Sequence, residues 1–123
     1  VIGFVASDHH IPDDVAFRDA MTIAGEAARL GRIVTLGIRP RHPSSAYGYI
    51  CPSGSGLSNV QVFREKPDAA TAEQYVASGY LWNSGNFIVA AATFLQELRD
   101  HSPGVEAAAT AALPPEDGLA VQT

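Results

Sequence analysis

Cysteine is nearly absent. Cys51 is the only one in 123 residues, so neither an internal disulfide nor a thiolate metal centre can form. Basic residues are few as well: eight Lys and Arg face thirteen Asp and Glu, for a formal charge of -5. They are scattered rather than gathered into a stripe that could follow a phosphate backbone, so nucleic acid is not an expected partner. No apolar run approaches the roughly 18 residues that a bilayer span needs. Val1 to Ala6 also lacks the basic flank of a leader peptide, so no membrane partner is expected and a cytoplasmic location fits. The chain opens without Met, inside an apolar run that reads as a strand, and this points to a piece of a longer protein.

What is present suits one modest folded domain, since 46% of the residues are hydrophobic. Val1 to Ala6 is a compact apolar run of the kind covered on both faces in a parallel sheet. From Val15 to Leu30 the positions Phe17, Ala20, Met21, Ala24, Ala27 and Ala28 recur at helical steps. Asp13 or Asp14 supplies the N-cap and Gly31 the stop. Ile33 to Ile38 is again strand-like, so residues 1–38 predict a strand, helix and strand in a right-handed parallel crossover.

Beyond Pro40 the chain is loop-rich, with a short piece at Tyr47 to Cys51 expected as an edge strand. Val60 to Glu65 predicts a strand ended by Pro67. Thr71 and Gln74 read as a capping box for a short helix stopping at Gly79. Tyr80 to Ala92 predicts a strand broken by a polar turn at Asn83 to Asn86, followed by a helix from Thr93 to Asp100. The alanine-rich end predicts a helix and a frayed tail.

Four stretches carry residues with chemistry. SDHHIPDD, residues 7–14, places Asp8 beyond a strand's carboxyl end, where ligands of open α/β sheets gather and where a hard oxygen donor suits magnesium. Asp13 and Asp14 read as helix-capping acids, and His9 and His10 as loop residues. In YGYI, Gly48 allows either a close approach to a ligand or a β-bulge. In FREKP, Glu65 can accept hydrogen bonds from sugar hydroxyls while Lys66 offers a charge to a phosphate. Neighbouring strand residues point to opposite faces, so their joint use requires a local twist. In LWNSGNF, Asn83 and nearby backbone amides can meet a polar ligand.

Taken in order, SDHHI, then Gly37-Ile38 and Pro40 before YGYI, then FREKPD, ATAEQYVASGYLWNSGNF and a helix ending in HSP resemble the sugar-1-phosphate nucleotidyltransferases. The form Trp-Asn-Ser-Gly-x-Phe is similar to that of the mannose-1-phosphate guanylyltransferase (GDP-mannose pyrophosphorylase) branch. The resemblance spans about residues 1–105, the sugar-phosphate-binding part, and leaves 106–123 as a C-terminal tail. It implies a doubly wound, mixed α/β sheet of Rossmann-like type, and formation of GDP-mannose and pyrophosphate from GTP and mannose 1-phosphate. It further implies that Asp8 holds magnesium, that Gly48 and Glu65 hold the mannose and Lys66 its phosphate, and that Asn83 and Gly85 hold the far side of the sugar. Asp8 and Lys66 would be the catalytic residues.

The family's opening glycine-rich loop, Gly-Gly-x-Gly-Thr-Arg, has no counterpart in this chain, and neither does a second metal-binding Asp in a Ser-x-Asp-Tyr context. The expected picture is a sheet lacking its N-terminal nucleotide-binding strands. Such a chain is expected to be inactive alone and able to self-associate through an exposed sheet edge. Two alternatives differ in class: a non-catalytic sugar-phosphate-binding or regulatory module, and a metal-dependent phosphoesterase of the Asp-His-His type.

Overall fold

The computed structural model describes residues 1–112. The chain divides into two compact units, Val1–Ala90 and Ala91–Thr123. The first holds β1 (Ile2–Phe4), α1 (Asp14–Arg29), β2 (Val34–Ile38), β3 (Tyr49–Pro52), β4 (Val60–Arg64), α2 (Ala69–Ala77) and β5 (Leu81–Val89). The second holds α3 (Ala91–His101) and α4 (Pro103–Ala111). Pro103, which lacks the N–H that a first helical turn leaves unused, opens α4. The frayed tail expected after that helix lies outside the described residues.

α1 forms where its periodicity places it. Asp13 caps it, accepting from the Ala16 N–H at 2.9 Å, and Gly31 leaves it with a φ of 81°. Its small residues Ala24 and Ala28 are buried against Ile88, with Met21, Val34 and Leu36 packed around them. Alanines on that face let the helix backbone come close to the sheet. α2 is capped by Asp68, which accepts from the Thr71 N–H at 2.8 Å, rather than by Thr71 itself. These bonds hold the Asp68 carboxyl below the usual aspartate range. The predicted Thr71 cap fails because an acid three residues upstream has the same reach to an orphan N–H.

β5 organises the sheet. β2 pairs with it antiparallel along one edge, with Val34 opposite Ile88 and Ile38 opposite Trp82. Along its other edge lie β1, with Gly3 opposite Ile88, and β3, with Tyr49 opposite Trp82. β1 and β2 thus run the same way, as a crossover requires, but β5 stands between them and every described pairing is antiparallel.

Three local expectations change. β3 is no edge strand, because β4 and β5 flank it and bury Tyr49 and Ile50. β5 is one continuous strand through Asn83 to Asn86, where a turn was expected. β1 is not covered on both faces: Ile2 and Phe4 are 40% and 44% exposed, and among the described residues β1 pairs on one side only. That open edge is the one where self-association is expected.

The β3 side is fixed by aromatic packing. Tyr49 is fully buried, and its hydroxyl donates to the Ser44 carbonyl and accepts from the Ser44 N–H, both at 3.0 Å. Tyr75 of α2 packs on Tyr49 at 5.5 Å between ring centroids and stacks on Tyr80 at 4.5 Å. These rings anchor the segment that leads into Gly48 and the start of β3.

Candidate active site

Gly48, Glu65 and Asn83 come together, although they are far apart in sequence. A side chain at Gly48 would place its Cβ 2.5 Å from Glu65 Oε2, 3.5 Å from Phe63 Cζ and 3.6 Å from Asn83 Cβ. Gly48 is buried, and its carbonyl accepts from the Asn83 N–H at 2.8 Å. What approaches Gly48 closely is the chain's own Glu65 carboxylate. The register shift in β3 lies elsewhere, between Cys51 and Pro52. The carboxylate of Glu65 therefore occupies the space that any other residue at position 48 would fill.

Glu65 and Lys66 follow the last residue of β4, and Lys66 has a φ of 43°. A non-glycine residue in the left-handed region is uncommon and marks a constrained position. Here the chain leaves the extended conformation of β4 just past its end. Both side chains are exposed.

Asn83 sits in a bulge of β5. Thr35 and Gly37 of β2 lie opposite Phe87 and Asn83, so a step of two residues on β2 matches a step of four on β5. The extra length is taken up around Gly85, whose φ is 75° and beside whose Cα there is open space. Gly85 is thus required for its backbone conformation, and Gly48 for its lack of a side chain. Inside the bulge the Asn83 side-chain oxygen accepts from the Gly85 N–H at 3.3 Å, and Ser84 Oγ accepts from the Asn86 N–H at 3.1 Å. Trp82, next in the strand, packs against Tyr47 at 4.7 Å and His42 at 5.2 Å.

Asp8 lies apart from this cluster. It lines a cavity of about 830 Å³ with His9, His10, Ser84 and Asn86, whose far walls are apolar residues of α1 and β2. Gly48, Glu65, Lys66 and Asn83 do not line that cavity. The two places are joined through the bulge: Asn86, which is buried, accepts on Oδ1 from the Ala6 N–H at 3.4 Å, two residues before Asp8. Asp8 is exposed and makes no hydrogen bond or ion pair among the described residues, so its oxygens remain available to a hard cation. No group of three or more His, Cys, Asp or Glu side chains converges among the described residues. A single carboxylate nevertheless fits magnesium, which commonly takes one or two carboxylates and completes its shell with water and substrate phosphates.

Reading the sequence passed over Thr35 and Asn86, the two residues that tie the bulge down. A threonine in a β-rich run carries no local signal, whereas Asn86 stood in view within the polar stretch. Among the described residues no helix is long and apolar enough to cross a membrane.

Comparison with known proteins gives a consistent result. A xanthan biosynthesis protein, XanB, of Xanthomonas campestris pv. campestris (strain B100) is 50% identical over 101 residues, covering 80% of this chain and 22% of that protein. A mannose-1-phosphate guanylyltransferase of Salmonella muenchen is 44% identical over 105 residues, covering 82% and 22%. The chain therefore spans about a fifth of the length of these curated relatives. Among solved structures, one described as a mannose-1-phosphate geranyltransferase from Thermus thermophilus superposes with a TM-score of 0.79 at 35% identity, covering 94% of this chain and 36% of that one. A mannose-6-phosphate isomerase from Helicobacter pylori superposes with a TM-score of 0.77 at 37% identity, covering 85% and 41%. The family model for nucleotidyl transferases matches residues 1–120, and with the α/β fold and the motif order in agreement, the chain belongs to the nucleotidyl transferase family.

Proposed function

We propose that these residues form the sugar-phosphate side of a mannose-1-phosphate guanylyltransferase, which joins GTP to mannose 1-phosphate and releases pyrophosphate. The convergence of Gly48, Glu65 and Asn83 carries the reading, because the missing side chain at Gly48 leaves room for the Glu65 carboxylate next to Asn83. The similarity to proteins named as guanylyltransferases supports the choice of sugar and nucleotide.

In this reading Glu65 accepts hydrogen bonds from the sugar hydroxyls and Asn83 meets them from the other side. Lys66 follows Glu65 directly and supplies a point charge to the sugar's phosphate. An oxygen of that phosphate attacks the α-phosphorus of GTP in line, and pyrophosphate leaves with the electron pair of the broken bond. Such a reaction depends on positioning and on neutralising phosphate charge more than on covalent help from the protein. Asp8 would hold magnesium, which when bound supplies charge neutralisation to the phosphates. The 123 residues contain no glycine-rich, Arg-bearing loop, so the share of the reaction proposed for them is the sugar-phosphate share. Nucleoside triphosphate chemistry of this kind fits a reaction in the cytoplasm.

Calorimetric titration of mannose 1-phosphate into the chain tests the reading. Saturable binding is expected, weakened about 10- to 100-fold by Lys66→Ala, since a charge-assisted bond to phosphate is lost. A wild-type isotherm no stronger than that of inorganic phosphate would overturn the sugar-phosphate assignment.

A further inference from the structure

Thr35 belongs to none of the motifs that carry the functional reading, yet its side chain reaches into the centre of the bulge. Its hydroxyl lies 2.6 Å from Asn83 Oδ1 and 3.0 Å from the Asn86 carbonyl. It therefore touches both arms of the segment that β5 carries in excess of β2. Bulged residues leave the ladder, and their polar groups need partners from outside it. Thr35 supplies one: its single proton goes to Asn83 Oδ1, the nearer of the two acceptors.

The orientation of the Asn83 carboxamide follows from its neighbours. The Gly85 N–H can only donate, so the Asn83 atom 3.3 Å away is the oxygen. That oxygen faces Gly85 and Thr35 together. The amide nitrogen then has no partner among the described residues, and its two N–H groups are what Asn83 has left to offer. Glu65, whose Oε2 comes within 2.5 Å of where a Gly48 Cβ would stand, can only accept while ionised. A sugar hydroxyl donates one hydrogen bond and accepts others, so a donor from Asn83 and an acceptor from Glu65 would together fix its orientation.

We propose that Thr35 is a positioning residue for the sugar end of the site: its hydroxyl holds the Asn83 oxygen inward, so that the amide N–H groups meet a ligand hydroxyl whose own proton goes to Glu65. The proposal rests on reading the Gly48 cluster as the sugar-phosphate site. It extends that reading to a residue 48 positions away in sequence, on a different strand.

Two measurements on the 123-residue chain test it separately. Nitrogen relaxation of the Asn83 side-chain amide, without ligand, should show an ordered group in wild type and in Thr35→Ser and a disordered one in Thr35→Val. An amide equally ordered in Thr35→Val overturns the positioning role, whether or not the chain binds sugar phosphate. With mannose 1-phosphate, Thr35→Val should raise the dissociation constant about five- to tenfold, the scale of one hydrogen bond, and Thr35→Ser should restore it. A lost amide order with unchanged affinity overturns the link to the ligand. Should Thr35→Val fail to fold, Asn83→Asp replaces the donors and keeps an inward acceptor. Wild-type affinity in that variant overturns the proposal. Failure of wild type to bind mannose 1-phosphate overturns the site assignment instead, and the relaxation result still decides what Thr35 does.

Discussion

Between Ser7 and Asp14 stand two histidines and three acids, and every residue there except Ile11 is exposed. Around Gly48, by contrast, a glycine, an asparagine and a glutamate meet within a few ångströms of one another, with Gly48 buried and Asn83 half-buried beneath the exposed Glu65. The first region is dense in chemistry and sparse in structure: apart from the Asp13 cap and the exposed Asp14–Arg18 pair, a long hydrogen bond from the Ala6 N–H to Asn86 ties its approach to the sheet. The second is plain in composition but held by strand pairing on both sides of β5 and by the Thr35 hydroxyl. Reactive side chains in sequence clusters do not make a site unless the backbone directs them to one point. At the loop only Asp8 keeps a proposed role, whereas around Gly48 each residue depends on its neighbours' geometry.

That contrast can be broken most sharply at Gly48. Gly48→Ala puts a methyl group into the space of the Glu65 carboxylate, which is the movable end of a side chain, so the fold should survive while the site does not. Affinity for mannose 1-phosphate should fall by roughly 10- to 100-fold, the scale of a hydrogen bond to a charged group lost when Glu65 is displaced, with the melting temperature nearly unchanged. Equal losses of stability and affinity would mean that Gly48 serves the fold rather than the ligand.

A smaller effect is expected at the loop. Asp8→Asn should leave the metal-free affinity for mannose 1-phosphate as it is and remove the increment that added magnesium produces, as seen in paired titrations with and without the ion. A magnesium increment that persists in the variant would remove Asp8 from the site and leave the loop without a function.

The smallest effect serves as a control outside both regions. Asp68 has a lower carboxyl pKa in the folded chain than the ordinary value, because it accepts from Thr71. Its stabilisation of α2 is therefore present above the unfolded value, roughly pH 4, and is lost as the pH falls through the lower folded value. Asp68→Ala should lower the melting temperature at neutral pH and flatten its acid dependence, with no change in ligand affinity. A variant whose acid dependence matched wild type would show that the cap does not form in solution.

Some of this was legible in the chain itself. α1 could be read because its signals are local: apolar residues at helical spacing, an acid at the N-cap and a glycine at the stop. The order of the short motifs gave the family. The exposed β1, the interior place of β3 and the unbroken course of β5 were not legible, because each depends on which strands lie alongside. The polar stretch at Asn83 to Asn86 has the composition of a turn and becomes a bulge only because β2 pairs on both sides of it. Likewise Asp8 follows the end of β1 by four residues, but that it lines a cavity to which Glu65 and Lys66 do not contribute came only with the structure.

By itself the sequence determined the residue types available for chemistry, the helices with the cap of α1, and the family, since these rest on near neighbours along the chain and on motif order. Only the tertiary structure decided which of those residues meet. Glu65 reaches Gly48 and Thr35 reaches Asn83 through strand register, and register is set by pairing between segments tens of residues apart.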